Sequence, residues 1–183
     1  ARLDPGAPAL FNGTELVADY RTFAERAARI GSHLRRELGL ELGDRVAVCM
    51  TNGPEYLESV FGTFKAGLAP INTNYRYLDD ELVYLWENGD VVAVVFHGTF
   101  TETADAVRDR VPVRTWLWVD DGTGPCPDWA TPYEEAAALA ADRTVAHWGR
   151  DGDDLLMGGH GRDYISGGAG IDIDAQGNVV GML

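Results

Sequence analysis

Residues 44–96 switch between two hydrophobic periods, and that switching admits few folds. Asp44-Arg45-Val46-Ala47-Val48-Cys49-Met50 is an apolar run of strand length. Asn52-Gly53-Pro54-Glu55 opens a helix, and Leu57, Val60, Phe61 and Phe64 follow at i, i+3, i+4 and i+7, which puts four apolar side chains on one helical face. Gly67 is a left-handed stop that Pro70 reinforces. Ala69-Pro70-Ile71-Asn72 reads as a short strand. Asp79-Asp80-Glu81 puts negative charge at the N-terminus of a second helix, where the peptide dipoles favour it. Leu78, Leu82, Leu85 and Trp86 form its expected buried stripe, and Asn88-Gly89 closes it. Val91-Val92-Ala93-Val94-Val95-Phe96 is continuously apolar, as a parallel strand covered on both faces should be. Strand, helix, strand, helix, strand is half of an open α/β sheet.

The flanks extend this pattern. Ala9 to Val17 reads as a hairpin turning at Asn12-Gly13. Thr22-Phe23-Ala24-Glu25 has the form of a capping box, and Phe23, Ala27, Ile30 and Leu34 mark one face of a helix reaching about Leu38. His33 beside that stripe is expected at the surface or partly satisfied. Thr99 to Val111 reads as helix, with Ala104, Val107 and Val111 inward. Thr115-Trp116-Leu117-Trp118-Val119 reads as strand, with both tryptophans on one core-facing side. Pro132 to Leu139 reads as a short helix.

With 183 residues there is room for one ordinary domain. The net charge of −14 argues against nucleic acid or an anionic membrane surface as partner. No apolar run is long enough to span a bilayer, and no signal peptide is evident. The two cysteines, Cys49 and Cys126, form no disulfide framework, so reduced thiols in a cytoplasmic protein are expected. A start at Ala1 suggests a processed or excerpted product.

Four segments together resemble the N-terminal region of AMP-forming acyl-CoA synthetases. They are Asn52-Gly53-Pro54-Glu55-Tyr56, Phe64-Lys65-Ala66-Gly67, Ile71-Asn72-Thr73-Asn74-Tyr75-Arg76-Tyr77 and Asp80-Glu81-Leu82-Val83-Tyr84-Leu85. The resemblance runs from about Ala9 to Met157. It implies a partial doubly wound, mostly parallel α/β sheet over residues 1–148. It also implies, for an intact enzyme, ATP, Mg²⁺ and CoA as cofactors and a fatty or other carboxylic acid as substrate. The family's phosphate loop, ending in Pro-Lys-Gly, does not follow Met157 here. The 15 basic residues are all arginine except Lys65, whose place at a helix C-terminus suits a cation without any catalytic role. The family's catalytic lysine and later ATP motifs are therefore missing, and the chain alone is expected to be inactive. Tyr75-Arg76-Tyr77 reads either as a contact to a nucleotide or CoA phosphate or, preferably, as a stacked surface arginine. His97, at the end of a strand where open α/β sheets bind ligands, reads preferably as a loop histidine without a partner.

From Gly149 glycine becomes dense and a nine-residue period appears. Gly158-Gly159-His160-Gly161-Arg162-Asp163-Tyr164-Ile165-Ser166 resembles the calcium-binding nonapeptide of repeat-in-toxin proteins at every fixed position. In that register Asp154, Asp163 and Asp172 would ligate Ca²⁺, a hard cation that takes six to eight oxygens. The first copy has Arg150 in place of its second glycine, and the third has Asp174 at the apolar position. The alternative to the ligase reading is thus a non-enzymatic Ca²⁺-binding or interaction protein acting through residues 149–174. Residues 175–183 read as a terminal hairpin or tail, with Ile173 to Val180 as strand, turn and strand. A deletion or frame change joining distant pieces of a ligase would account for the tail as well. A half-sheet lacking its cover is expected to self-associate.

Overall fold

The computed structural model describes residues 4–139 together with 171–173 and 179–182. The hairpin forms first, from β1 (Pro8–Asn12) and antiparallel β2 (Glu15–Asp19), with Gly13 in the left-handed region at φ +61°. Helix α1 (Tyr20–Ser32) starts directly at the end of β2. Its cap is Asp19, not Thr22: the Asp19 carboxylate accepts from the Thr22 amide at 2.7 Å. The capping box expected from the sequence is displaced because an ionised carboxylate is already available where the strand hands over to the helix. The chain continues as a π-helical turn, His33–Glu37.

Five parallel strands make the sheet: β3 (Arg45–Cys49), β4 (Ala69–Asn72), β5 (Val91–His97), β6 (Thr115–Val119) and the two-residue β7 (Thr131–Pro132), in the order β4-β3-β5-β6-β7. The sequence reading lacked β7, which is too short to carry any periodicity. Pro70 sits in β4, an edge strand, where a missing amide costs no ladder bond. Helices α2 (Pro54–Lys65), α3 (Asp79–Asn88), α4 (Thr101–Val107) and α5 (Tyr133–Leu139) connect or follow these strands. Short 3₁₀ turns, Gly98–Phe100 and Arg108–Arg110, flank α4, so the expected single helix from Thr99 to Val111 is broken.

Strand residues alternate between two cores. Val46, Val48, Ala93, Val95, Leu117 and Val119 join Ile30, Leu34, Tyr133 and Ala136 on the face of α1, α2 and α5. Ala47, Cys49, Val94, Phe96, Trp116 and Trp118 join Leu82, Trp86, Ala104 and Val107 on the face of α3 and α4. The described sheet is thus wound on both sides, as the sequence implied, and its faces are covered rather than bare. In α3, Leu82 and Trp86 are buried, but Leu78 is the helix cap and is 74% exposed. The left-handed residue after α3 is Asp90, at φ +47°, while Gly89 is not left-handed.

Helix α2 departs most from its sequence pattern. Leu57, Phe61 and Phe64 are 39%, 47% and 49% exposed, and the buried face carries Glu58, Ser59, Gly62 and Thr63. The cause lies in how closely α1 and α2 cross. A Cβ on Gly31 would stand 2.6 Å from the Gly62 carbonyl oxygen, and one on Gly62 would stand 2.7 Å from the Ala27 carbonyl oxygen. Backbones this near admit only small side chains between them, so the bulky residues point away. Beside the crossing, buried Glu58 accepts from Arg26 Nε at 2.7 Å and from the Tyr133 hydroxyl at 3.2 Å. Arg26 also donates to both oxygens of Glu134, and these paired carboxylates hold its guanidinium above the ordinary arginine range. One ionic cluster therefore ties α1, α2 and α5 together.

Near the end of the sequence β8 (Ile171–Ile173) and β9 (Val179–Met182) pair antiparallel. No described helix is long and apolar enough to cross a membrane.

Candidate functional site

In an open parallel sheet, ligands bind beyond the carboxyl ends of the strands where the winding reverses. Here that point lies between β3 and β5, because the chain runs outward from β3 to β4 and then returns to β5. Thr51 follows β3 and His97 ends β5. The His97 Nδ1 accepts from the Thr51 amide at 3.3 Å and lies 3.1 Å from the Thr51 hydroxyl. An acceptor Nδ1 places the proton of the neutral ring on Nε2. His97 is therefore a buried, partnered residue, not the loop histidine without a partner expected from sequence. No local pattern marks Thr51 as its partner, since the pairing spans 46 residues. Burial pushes the His97 pKa down, against the opposing pull of Asp121 and Glu55.

Asp121 stands at the next strand end. It accepts from the Thr99 amide and from the Thr123 hydroxyl and amide. Burial raises its pKa, but these bonds outweigh that effect and hold the carboxyl below its ordinary value. Gly98 fits between these groups only because it lacks a side chain. A Cβ there would stand 2.8 Å from Asp121 Oδ1, 2.9 Å from Thr123 Oγ1 and 3.0 Å from the Trp118 indole nitrogen. The crevice thus combines a neutral imidazole with the carboxylates of Glu55 and Asp121. Those charges repel a polyphosphate, and Lys65 lies at the far end of α2.

A cleft of about 550 Å³ lies beside this edge, between the hairpin and the start of α2. Leu10, Phe11, Pro54, Tyr56 and Leu57 line it, with Asn12 and Asn52 as polar groups. Tyr75 and Arg76 are exposed; the Arg76 guanidinium lies over the Tyr75 ring at 5.6 Å, and Tyr75 stacks on Phe100 at 5.7 Å. Trp116 and Trp118 pack in the core, as expected.

Three further residues differ from their sequence reading or complete it. His33 is buried, not superficial, and neither ring nitrogen has a hydrogen-bond partner among the described residues. Burial lowers its pKa, with Glu37 and Glu135 opposing. Cys49 and Cys126 are both free thiols, and burial pushes Cys49 up to about 12. Of the proposed calcium ligands, Asp172 falls in β8, and Asp154 and Asp163 lie outside the described residues. Among the described residues no cluster of three or more His, Cys, Asp or Glu side chains could hold a metal.

Comparison with known proteins places the chain. It is 37% identical over 105 residues to a 3-oxocholest-4-en-26-oate--CoA ligase of Rhodococcus rhodochrous, covering 57% of this chain and 19% of that protein. It is 36% identical over 120 residues to a medium/long-chain-fatty-acid--CoA/3-oxocholest-4-en-26-oate--CoA ligase of Mycobacterium marinum, covering 65% of this chain and 22% of that protein. The fold matches ATP-bound MatB from Rhodopseudomonas palustris with a TM-score of 0.64 at 25% identity, over 78% of this chain and 27% of that one. The chain thus spans about a fifth of the length of the curated relatives it matches. A model of AMP-binding enzymes matches residues 1–155, and on that match the chain belongs to the AMP-binding enzyme family, in the N-terminal region of its acyl-CoA synthetases.

Proposed function

We propose that this chain is the N-terminal scaffold of an acyl-CoA synthetase and has no ligase activity by itself. The observation that carries this reading is a family match over most of the chain combined with a sequence that holds neither the Pro-Lys-Gly phosphate loop nor any lysine except Lys65. In the complete reaction a carboxylate oxygen attacks the α-phosphorus of ATP and pyrophosphate leaves. The CoA sulfur then takes the acyl group and AMP departs. The developing phosphate charge needs cations, Mg²⁺ and backbone amides aimed at it. The Glu55 and Asp121 carboxylates at the sheet edge supply the opposite charge.

The relatives are ligases of medium- and long-chain fatty acids and of 3-oxocholest-4-en-26-oate, which makes a fatty or sterol-derived acid the substrate class for a longer protein containing this region. The purified chain should release no pyrophosphate from ATP, Mg²⁺, dodecanoate and CoA above the protein-free rate. Turnover by the chain alone would overturn the inactivity. A longer protein containing this sequence should form dodecanoyl-CoA or a sterol-acid thioester, and failure with both acids would sink the ligase reading.

A further inference from the structure

The sequence holds three Asn-Gly pairs: Asn12-Gly13, Asn52-Gly53 and Asn88-Gly89. In such a pair the glycine nitrogen closes readily onto the asparagine side chain, because no Cβ stands in the way. The fold separates the three by how free each backbone is to make that approach. Asn88 is the last residue of α3, and the Gly89 amide donates to the Leu85 carbonyl at 2.9 Å. Asn12 ends β1 and is paired with Glu15 in the hairpin ladder. Both must leave their element to react. Asn52 is exposed and lies in no helix or strand, and among the described residues the Gly53 amide donates no hydrogen bond. Gly53 is extended at φ −171°, and α2 begins at the next residue without a side-chain cap.

We propose that Asn52 is a self-modification site, converting to aspartate and isoaspartate through a ring closed by the Gly53 nitrogen. That nitrogen attacks the carbonyl carbon of the Asn52 side chain. A carbon–nitrogen bond forms, the bond to Nδ2 breaks, and ammonia leaves with the proton released from the Gly53 amide. Water then opens the cyclic imide at either of its carbonyls, and no oxidant or reductant takes part. The isoaspartyl product runs the main chain through the former side chain and lengthens it by one atom. That atom enters between Thr51, whose amide bonds His97, and the start of α2. Either product also adds a negative charge beside the α2 N-terminus, in the wall of the cleft that Asn52 lines.

Incubation of the full chain near neutral pH, followed by tryptic peptide mass spectrometry, tests this. Cleavage after arginine and lysine puts the three asparagines in separate peptides, residues 3–21, 46–65 and 77–108. In the folded chain Asn52 should convert faster than Asn12, and at least about fivefold faster than Asn88, the factor that one net hydrogen bond represents. In urea the three rates should converge, because the elements that restrain Asn12 and Asn88 are gone. Gly53→Ala should slow conversion at Asn52 to the Asn88 rate or below, since the methyl hinders ring closure. The circular dichroism spectrum should stay unchanged, because extended backbone accepts alanine and the new Cβ would meet only the Glu55 side chain, at 3.4 Å. Equal rates at Asn52 and Asn88 in the folded chain overturn the proposal. So does a ranking that urea leaves unchanged, or conversion of Asn52 at the wild-type rate in folded Gly53→Ala.

Discussion

Gly62→Ala separates two opposing physical effects by the sign of its outcome. In an isolated helix the change stabilises by about 1 kcal/mol, because glycine has more backbone freedom to lose. At the α1–α2 crossing the new methyl would stand 2.7 Å from the Ala27 carbonyl oxygen, 3.2 Å from the Ile30 Cβ and 3.3 Å from the Gly31 amide nitrogen. Two of the three atoms are backbone and cannot rotate aside, so the helices must separate. Inserting a methyl into a well-packed site costs about 1–3 kcal/mol, and a rigid contact belongs at the upper end. The net expectation is a loss of about 2 kcal/mol, or roughly 5 °C in melting temperature for a domain of this size. Urea unfolding followed by circular dichroism at 222 nm measures it. Gly31→Ala should behave alike, since its Cβ would meet the Gly62 carbonyl oxygen at 2.6 Å. The double variant should lose less than the sum, because either methyl opens the same gap. If Gly62→Ala matched or exceeded the wild type, the close crossing would be refuted, along with this explanation for the outward-facing α2 stripe.

The buried histidines predict acid sensitivity. The folded pKa of His33 lies below its ordinary 6.5, so as pH falls through that value the unfolded chain takes up a proton that the folded chain excludes. Stability is fully present above about pH 6.5 and is lost progressively down to the folded pKa. His97 shifts in the same direction. Melting temperatures taken between about pH 8 and pH 5 should fall more gently for His33→Leu than for the wild type; equal slopes would count against a buried neutral His33. Thiol labelling should distinguish the cysteines. Half-buried Cys126 should react with a disulfide reagent in the native state, while Cys49, raised to about 12, should react only on unfolding. Native labelling of both at similar rates would contradict the Cys49 environment.

Periodicity alone determined the order of the main elements. The runs at β3, β5 and β6 read as strands because each is apolar on both sides, which only a sheet covered on two faces can bury. Gly67, at φ +71°, and the acidic first turn of α3 were equally legible, because local backbone and dipole energetics set them. Which side of α2 faces inward was not legible. The hydrophobic pattern identifies an apolar face, but the contact between the backbones at Gly31 and Gly62 decides what space is left on the buried side, and those residues lie far apart in sequence. The site divides in the same way. His97 could be placed at a strand end from sequence, but its bond to Thr51 arises only when β3 and β5 become neighbours in the sheet. The burial of His33 likewise follows from α5 packing back onto α1, a contact that no window around His33 contains. Short-range energies wrote the elements into the sequence; exclusion of volume and of water between distant elements decided which side chains those elements hide.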